Sequence, residues 1–252
     1  MITHALLREP GPNAVDGLTT ADAGRPDPER TRIQFDAYAT ALADAGVALT
    51  ILDPLPAHPD AHFVEDVAVV VPGAAVLTRP GAPSRRGEVE AIAPILRERH
   101  EVVAIEAPGT LDGGDVLLVG DTAFVGHSSR TNEAGIEQFA AIVGACGLRC
   151  VAVPVGEGLH LKSNVNAIDA DTLVLTARFA AHGAFEGFAR VVTAPGEEYA
   201  ANVLAVNGRL FVPSGHPETT RRLRDHGAAV VELDTSEFRK MDGGLTCLSL
   251  RF

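Results

Sequence analysis

Residues 111–127 read LDGGDVLLVGDTAFVGH, in which an acidic Gly–Gly turn leads into two short apolar runs separated by a second turn. Short apolar runs bounded by Gly and Asp are typical of strands. A helical pattern over 132–145 and the apolar stretch CVAVPV (150–155) follow directly. This part of the chain therefore predicts a compact unit of two strands, a helix and a third strand.

The same order of elements recurs along the chain. Further units open with FVEDVAVVVPGAAVLTRPG (63–81), LKSNVNAIDADTLVLTA (161–177) and AANVLAVNGRLFVPSG (200–215). The equivalent positions 66, 115, 164 and 202 are separated by 49, 49 and 38 residues. A supersecondary pattern that returns at such intervals indicates an internal repeat.

A fifth unit begins at residue 241 with MDGGLTCLSLRF and stops after one strand. The elements it lacks stand at the other end of the chain, as strands at 2–9 and 47–52 around a helix at 29–45. Pairing the N-terminal strand with the C-terminal unit closes a ring and removes exposed sheet edges. We therefore predict an α/β fold, a five-bladed pseudo-symmetric α/β propeller in a single domain over residues 1–252. The alternative is an ordinary layered α/β protein.

The charge and cysteine content of the chain narrow its partners. Asp and Glu (33) outnumber Lys and Arg (21) for a formal net charge of −12, which argues against nucleic acid or an anionic membrane as partner. No apolar stretch approaches the roughly 20 residues that cross a bilayer, and the N-terminus lacks the layout of a secretion signal. Three cysteines do not make a disulfide framework. We expect a cytoplasmic protein that binds a small molecule, as a monomer or as a homodimer.

Motifs of several other enzyme classes are incomplete in this sequence. It has no full dinucleotide fingerprint, no phosphate-binding loop and no G-x-S-x-G elbow. His58 and His62 flank Asp60, but Pro59 disfavours the helix that a zinc site of this kind needs. We therefore predict no metal site and no nucleotide or serine-esterase chemistry.

Polar residues stand where the predicted units begin. In a propeller the first strand of each unit lines the central axis, so these residues should meet around one channel: Glu65, Asp66, Asp112, Asp115, His160, Ser163, Asn202 and 242–247. For Asp115, and for Asp169 in a later turn, we favour a role in satisfying backbone groups. A thiol with a histidine and a supporting acid is the arrangement of covalent catalysis.

The charged residues indicate the shape of the ligand. Glu65, Asp66 and Asp112 would form an anionic pocket for a planar cation, because the forked N–H donors of guanidinium match carboxylate geometry. Arg85 and Arg130, each in a turn-rich loop, could hold a carboxylate at the other end of the ligand. Together these residues fit an amino acid with a guanidinium side chain.

Six segments of the sequence resemble one enzyme family: FVEDVAVV, TRPGAPSRR, TLDGGDVLLVG, SRTNEAG, GLHLKSN and DGGLTC. They are similar to the signature segments of dimethylarginine dimethylaminohydrolases, which belong to the five-bladed pentein superfamily of guanidine-modifying enzymes. The resemblance runs from about residue 60 to residue 247. Arginine deiminases share part of the pattern, but they usually carry a helical insertion for which this chain has no room.

The resemblance implies hydrolysis of methylated arginine to citrulline, with release of dimethylamine or methylamine and without a metal or organic cofactor. It implies a nucleophile at Cys247, a general acid and base at His160, and an acid at Asp112 that orients the histidine. The implied substrate contacts are Glu65 and Asp66 at the guanidinium, Asp60 as a further acid, Arg85 and Arg130 at the carboxylate, the loop tip Leu18, the backbone of Met241, and Asp242.

Two other functions remain open at the level of sequence. The same fold and triad could serve an arginine or agmatine deiminase. A non-catalytic pentein, such as a ribosome anti-association factor, would use the ring as a binding surface, but it would not be expected to combine Cys247, His160 and the carboxylates.

Overall fold

A computed structural model of the protein describes residues 1–156 and 158–252. Its strands are β1 (His4–Arg8), β2 (Ala48–Leu52), β3 (Ala68–Val71), β4 (Ala74–Leu77), β5 (Glu101–Ala104), β6 (Val116–Val119), β7 (Thr122–His127), β8 (Arg149–Pro154), β9 (Val165–Ala167), β10 (Thr172–Leu175), β11 (Ala189–Val192), β12 (Leu204–Val206), β13 (Arg209–Pro213), β14 (Val230–Leu233) and β15 (Leu250–Arg251). Its α-helices are α1 (Pro28–Asp44), α2 (Glu88–Arg97), α3 (Glu133–Ala145), α4 (Ala177–Ala180), α5 (Pro217–Asp225) and α6 (Ser236–Arg239).

The strands form five three-stranded sheets with one common connectivity. Their orders are β15-β1-β2, β3-β4-β5, β6-β7-β8, β9-β10-β11 and β12-β13-β14. In each sheet the first strand is antiparallel to the middle strand, and the middle strand is parallel to the third. Parallel neighbours need a crossover, and a helix stands in the chain between the two parallel strands of every sheet. The prediction of five repeated α/β units is confirmed.

The fifth sheet is built from both ends of the chain. Ala5 and Leu6 of β1 lie opposite Arg251 and Leu250 of β15. Next to this pairing, Tyr38 of α1 places its hydroxyl 2.6 Å from Ser249 Oγ. The C-terminal strand is thus held both by sheet hydrogen bonds and by the helix that follows β1.

Local sequence explains where the longer helices begin. Asp27 and Asn132 cap α1 and α3 by accepting hydrogen bonds from Arg30 N and Gly135 N. Proline occupies the first position of α1 and α5, where its missing N–H costs nothing. Helix α2 ends at Arg97, and the short helix α6 is not part of the predicted repeat.

Short 3-10 turns introduce the inner strands and bring the five sheets together. They comprise Val64–Val67, Gly113–Asp115, Leu161–Ser163, Glu198–Ala201 and Thr246–Leu248. Neighbouring turns contact each other around the axis, and two hydrogen bonds join Asn202 to Thr246. Residues that open each unit therefore converge at one end of the axis, as the repeat predicted.

The inner strands β3, β6, β9, β12 and β15 surround a central cavity of about 510 Å³ that lies along the axis. Apolar clusters fill the spaces between sheets and helices; the first packs Phe35 and Tyr38 of α1 against Phe211 and Phe238. Burying apolar side chains in these clusters is the main favourable contribution to folding. Among the described residues, every helix is too short or too polar to cross a bilayer.

Candidate active site

Most of the predicted site residues line one small cavity beside the converging turns. This active-site cavity, of about 20 Å³, is lined by Leu18, Asp60, Phe63, Asp66, Arg85, Arg130, Leu159, His160, Met241, Asp242, Gly243 and Cys247. Of the residues predicted from the sequence, Asp112 stands behind His160, and Glu65 faces the central cavity. The thiol and the imidazole, which are far apart in the chain, therefore share one wall of the same cavity.

His160 is held by carboxylates from two other blades. Its Nε2 lies 3.0 Å from Asp112 Oδ2 and 3.9 Å from Asp66 Oδ1. Burial by itself lowers the pKa of His160, but the charge of Asp66, the hydrogen bond to Asp112 and the charge of Asp115 together raise it to about 9. Burial works against ionisation of Asp112, yet the hydrogen bond and charge of His160 lower its pKa. The imidazole is therefore protonated at neutral pH, with its Nε2 held by Asp112.

The Gly–Gly pair beside Asp112 is required by close packing. A Cβ at Gly114 would lie 2.6 Å from His160 Nδ1 and 2.8 Å from Asp66 Oδ1. A Cβ at Gly113 would lie 2.0 Å from the backbone oxygen of Glu65. Gly114 N also donates to Asp66 Oδ1 at 2.9 Å. The two glycines thus allow the histidine and the acids to approach each other.

Asp115 performs the backbone role that the sequence predicted for it. It is fully buried and accepts hydrogen bonds from Ser128 Oγ, Thr131 Oγ1 and Leu161 N, and burial raises its pKa. The bond to Leu161 N fixes the turn that directly follows His160. Asp169 likewise accepts from Asp171 N in an exposed turn.

Cys247 lies in the 3-10 turn Thr246–Leu248, after a second Gly–Gly pair. A Cβ at Gly243 would lie 2.3 Å from Phe63 Cε1, and one at Gly244 would lie 2.5 Å from Asn202 Oδ1. Burial first, and then the charges of Glu65 and Asp66, raise the pKa of Cys247 to about 12. The free protein therefore holds a protonated thiol at neutral pH.

Glu65 lines the central cavity, and its charge also acts on Cys247. Its Oε1 accepts from Lys162 Nζ at 2.7 Å and from Arg251 Nη2 at 2.8 Å. Its Oε2 is buried and has no hydrogen-bond partner among residues 1–156 and 158–252. Leaving a buried carboxylate oxygen unpaired is costly, and a bound cation would relieve that cost.

Arg85 is tied into a buried ion-pair network. Its Nη1 lies 2.5 Å from Asp66 Oδ2, and its Nη2 lies 2.7 Å from Glu88 Oε2. Nη2 also donates to the backbone oxygens of Asp60 and Phe63. Because so many of its donors are occupied, Arg85 orients Asp66; that it also captures the carboxylate of a substrate stays a prediction.

Arg130 is the less engaged of the two arginines. Its Nη1 lies 3.6 Å from Asp112 Oδ2, and its side chain keeps 18% of its surface exposed at the cavity. It can therefore turn toward an incoming anion more easily than Arg85. Met241 lies in the same cavity wall and is buried.

Leu18, Asp60 and Asp242 meet at the mouth of the cavity. Leu18 N donates to both carboxylate oxygens of Asp60, at 3.0 and 3.3 Å, and burial raises the pKa of Asp60. Asp242 Oδ2 accepts from Thr20 N at 2.5 Å and from Thr20 Oγ1 at 3.0 Å. In this structure the side chain of Asp242, which was expected near the substrate, holds the loop.

Sequence reasoning missed Glu88, Lys162 and Arg251, which hold Arg85 and Glu65 in place. Each carries a charge and is largely buried inside the ring. An acid three residues after Arg85 could have been read from the sequence, because residues at this spacing lie side by side on a helix. The partner of Lys162 and Arg251, in contrast, comes from another blade. Their roles depend on the closed ring and not on any local pattern.

Asp66, Asp112 and His160 each offer one potential metal-ligand atom, and these atoms lie within 4.8 Å of one another. In the described part of the chain they form the one group of this kind. The same atoms are used in the ion pairs described above. That the protein needs no metal or other cofactor stays a prediction.

The fold and site together define a class: a five-bladed α/β propeller enzyme with a cysteine, a histidine and carboxylates at one end of its axis. The family model described as eukaryotic N,N-dimethylarginine dimethylhydrolase matches residues 23–178. The N(G),N(G)-dimethylarginine dimethylaminohydrolase of Pseudomonas aeruginosa is 40% identical over 100% of both chains. That of Streptomyces coelicolor is 40% identical over 98% of this chain and 96% of its own.

A solved structure extends the likeness to three dimensions. A cysteine-to-serine mutant of the Pseudomonas aeruginosa enzyme complexed with citrulline superposes with a TM-score of 0.98, at 39% identity and with 100% of both chains covered. The chain belongs to the dimethylarginine dimethylaminohydrolase family. The resemblance identified from the six sequence segments is thereby confirmed.

Proposed function

We propose that this protein hydrolyses N(omega)-methylated arginine to citrulline and dimethylamine or methylamine, with Cys247 as the nucleophile. One observation carries the proposal: Cys247, His160 and Asp66 line a single cavity, and the nearby carboxylate of Glu65, whose Oε2 has no partner among the described residues, acts by its charge on the Cys247 thiol. A guanidinium placed there would meet carboxylates and a thiol together. The names of the relatives agree with this activity.

Because the pKa of Cys247 is raised, ionisation of its thiol depends on bound substrate. Burial and the charges of Glu65 and Asp66 disfavour the thiolate in the free protein. A bound guanidinium cation would offset those charges, so the thiol ionises where its electrophile is present and releases its proton to solvent. The thiolate then adds to the central guanidinium carbon.

His160 supplies the protons for both halves of the reaction. With a pKa of about 9 it begins as imidazolium, and it protonates the methylated nitrogen as the C–N bond breaks. This leaves a thiouronium on Cys247 and a neutral imidazole. The imidazole accepts a proton from water, whose oxygen attacks the same carbon, and the C–S bond breaks to release citrulline.

The direct test measures citrulline formation by the purified protein. We expect turnover of asymmetric dimethylarginine, no turnover by Cys247→Ser, and no loss of activity in excess chelator. Faster turnover of arginine or agmatine than of dimethylarginine would instead favour a deiminase. The absence of turnover with all of these substrates would favour a non-catalytic protein of the same fold.

We also propose that the protein acts in the cytoplasm, which its sparse, odd set of cysteines favours. Whether it works as a monomer or as a homodimer is decided by sedimentation of the purified chain. Neither property changes the assignment of the site, because all the residues proposed for it come from one chain.

A further inference from the structure

The guanidinium of Arg251 lies between the turn that carries Cys247 and the carboxylate of Glu65. Arg251 belongs to β15, the strand that closes the ring, and its side chain lines the central cavity. Its Nη2 donates to Glu65 Oε1 at 2.8 Å. Its Nη1 lies 2.9 Å from the backbone oxygen of the first residue in the Cys247 turn, Thr246–Leu248. One side chain therefore contacts both this turn and a carboxylate from another blade.

Arg251 holds the Cys247 turn at both of its ends. Besides the first residue of the turn, Nη1 contacts Ser249, the residue that follows the turn. It lies 2.7 Å from the backbone oxygen of Ser249 and 2.9 Å from its hydroxyl oxygen. That hydroxyl in turn lies 2.6 Å from the phenol oxygen of Tyr38 in α1. The backbone oxygens on either side of Cys247 thus converge on one cation.

The surroundings of Arg251 favour a charged guanidinium with a fixed orientation. Its side chain keeps 16% of its surface exposed, and that of Glu65 keeps 4%. Burial lowers the pKa of Arg251, but the charge of Glu65 raises it further, so the group stays protonated. Hydrogen bonds from a charged donor are stronger than neutral ones. Because guanidinium is a rigid fork, it also sets the separation of the groups on its two sides.

Lys162 offers a contrast within the same cluster. Its Nζ lies 2.7 Å from the same oxygen, Glu65 Oε1. In the described part of the chain, the ammonium of Lys162 makes no hydrogen bond to the Cys247 turn. Against burial and the charges of Glu65 and Asp66, its charge lowers the pKa of Cys247. Lys162 therefore contributes charge, whereas Arg251 also joins the turn to the carboxylate.

We propose that Arg251 is a positioning residue that sets the distance between the Cys247 thiol and the carboxylate of Glu65. Arg251 lines the central cavity and not the active-site cavity, so it acts through the two groups that it links. Addition of the thiolate requires the guanidinium carbon at about 3–3.5 Å, and a small displacement of either group is costly. The inference rests on the proposed function for its effect on rate, but the link itself can be tested without turnover.

Arg251→Lys is the main test variant. It keeps the positive charge, but a single ammonium cannot replace a fork that contacts two sides. Ser249→Ala is a milder second variant, which removes one acceptor of Arg251 and changes no charge. Lys162→Met removes the other cation at the carboxylate and leaves the contacts of Arg251 with the turn in place. The matched control is Arg149→Lys, the same substitution at an exposed position of β8.

Hydrogen exchange resolved by NMR tests the link in the substrate-free protein. Thr246 N donates to Asn202 Oδ1 at 3.1 Å, and Cys247 N donates to the backbone oxygen of Gly244 at 3.2 Å. We expect exchange at both amides to rise about tenfold in Arg251→Lys, because a hydrogen bond to a charged group is worth that factor. The alanine variant should show a smaller rise, and the control should match the parent protein. Unchanged exchange in both turn variants, or an equal rise in the control, would overturn the link.

Kinetics then separate positioning from binding and from charge. Arg251→Lys should lower kcat for asymmetric dimethylarginine by about 10- to 100-fold, with the Kd in a Cys247→Ser background changed by less than about twofold. This deficit should be the same at every pH, because the charge is retained. Lys162→Met removes a charge that favours the thiolate, so its deficit should shrink as pH rises.

Two results would overturn the positioning role of Arg251. One is a Kd that weakens as much as kcat falls, and the other is an Arg251→Lys deficit that disappears at high pH. A parent protein without turnover would refute the proposed function instead, and the exchange measurement would still decide whether Arg251 holds the turn.

Discussion

His160 owes its raised pKa to side chains that two other blades supply. Against burial, Asp66, Asp112 and Asp115 raise its pKa to about 9, well above the ordinary value of about 6.5. The imidazolium therefore contributes stability that is fully present below about pH 6.5 and is lost as pH rises through about 9. The residue that we propose as the proton donor is thereby kept charged across the neutral range.

Asp112→Asn should lower the pKa of His160, because it removes one of the charges and weakens the hydrogen bond that favour the imidazolium. The alkaline limb of kcat/KM should then move from near pH 9 toward neutral pH, and activity should fall by roughly 10²-fold or more. NMR titration of the imidazole in a Cys247→Ser background measures this pKa without turnover. A His160 pKa that is unchanged by the Asn substitution would contradict the assigned coupling.

At the scale of single residues, the sequence identified the proposed catalytic residues more readily than the residues that hold them in place. Cys247, His160 and Asp66 stand beside conspicuous glycine turns, so motif and position pointed to them. The engagement of Glu65 by Lys162 and by Arg251 was not readable. A buried ion pair between residues of different blades has no fixed spacing in the chain, and only the folded ring defines it.

The 3-10 turns at the heads of the inner strands are the elements that position the residues proposed for catalysis. Gly114→Ala tests this, since its Cβ would lie 2.6 Å from His160 Nδ1 and 2.8 Å from Asp66 Oδ1. We expect a loss of at least about 10²-fold in kcat/KM with the fold retained. Citrulline assays and circular dichroism measure the two effects.

Gly144→Ala in α3 is the matched control for that substitution. An added Cβ at Gly144 meets nothing within 4 Å, so the free energy of unfolding should rise by up to about 1 kcal/mol. Activity should be unchanged. If Gly114→Ala were as active as this control, the contacts assigned to the glycine turn would be wrong.

The elements were largely predictable because apolar runs and helical patterns alternate regularly. Helix α5 (Pro217–Asp225) lies between the two parallel strands of its blade, where the repeat predicts a helix. The blade of β9, β10 and β11 departs from the pattern, since its helical segment is divided into α4 and the turn Gly183–Phe185. Helix α6 escaped prediction because four residues carry too little periodicity to register.

At the scale of the molecule, the two ends of the chain are neighbours. Thr3 N and His4 N donate to the backbone oxygen of Phe252 at 2.9 and 2.8 Å. A circular permutant that joins residues 252 and 1 by a short Gly/Ser linker and opens the exposed turn between Pro195 and Gly196 should therefore fold and retain activity. Thermal unfolding should be one cooperative transition, as expected of the single domain that we propose.

Deleting residues 250–252 is the contrasting variant, because it removes β15 and its pairing with β1. It should lower the midpoint of thermal unfolding by several degrees or prevent folding. A permutant that fails to fold while the truncated chain melts like the parent would show that the ring does not depend on this closure.

The unit that bears Cys247 is completed by segments from opposite ends of the polypeptide. During translation, the sheet of β1 is incomplete until the ribosome has synthesised residues up to 251. Every other residue that lines the active-site cavity, from Leu18 to Gly243, is synthesised before Cys247. A product that stalls short of residue 247 therefore carries the lining of the cavity without its thiol.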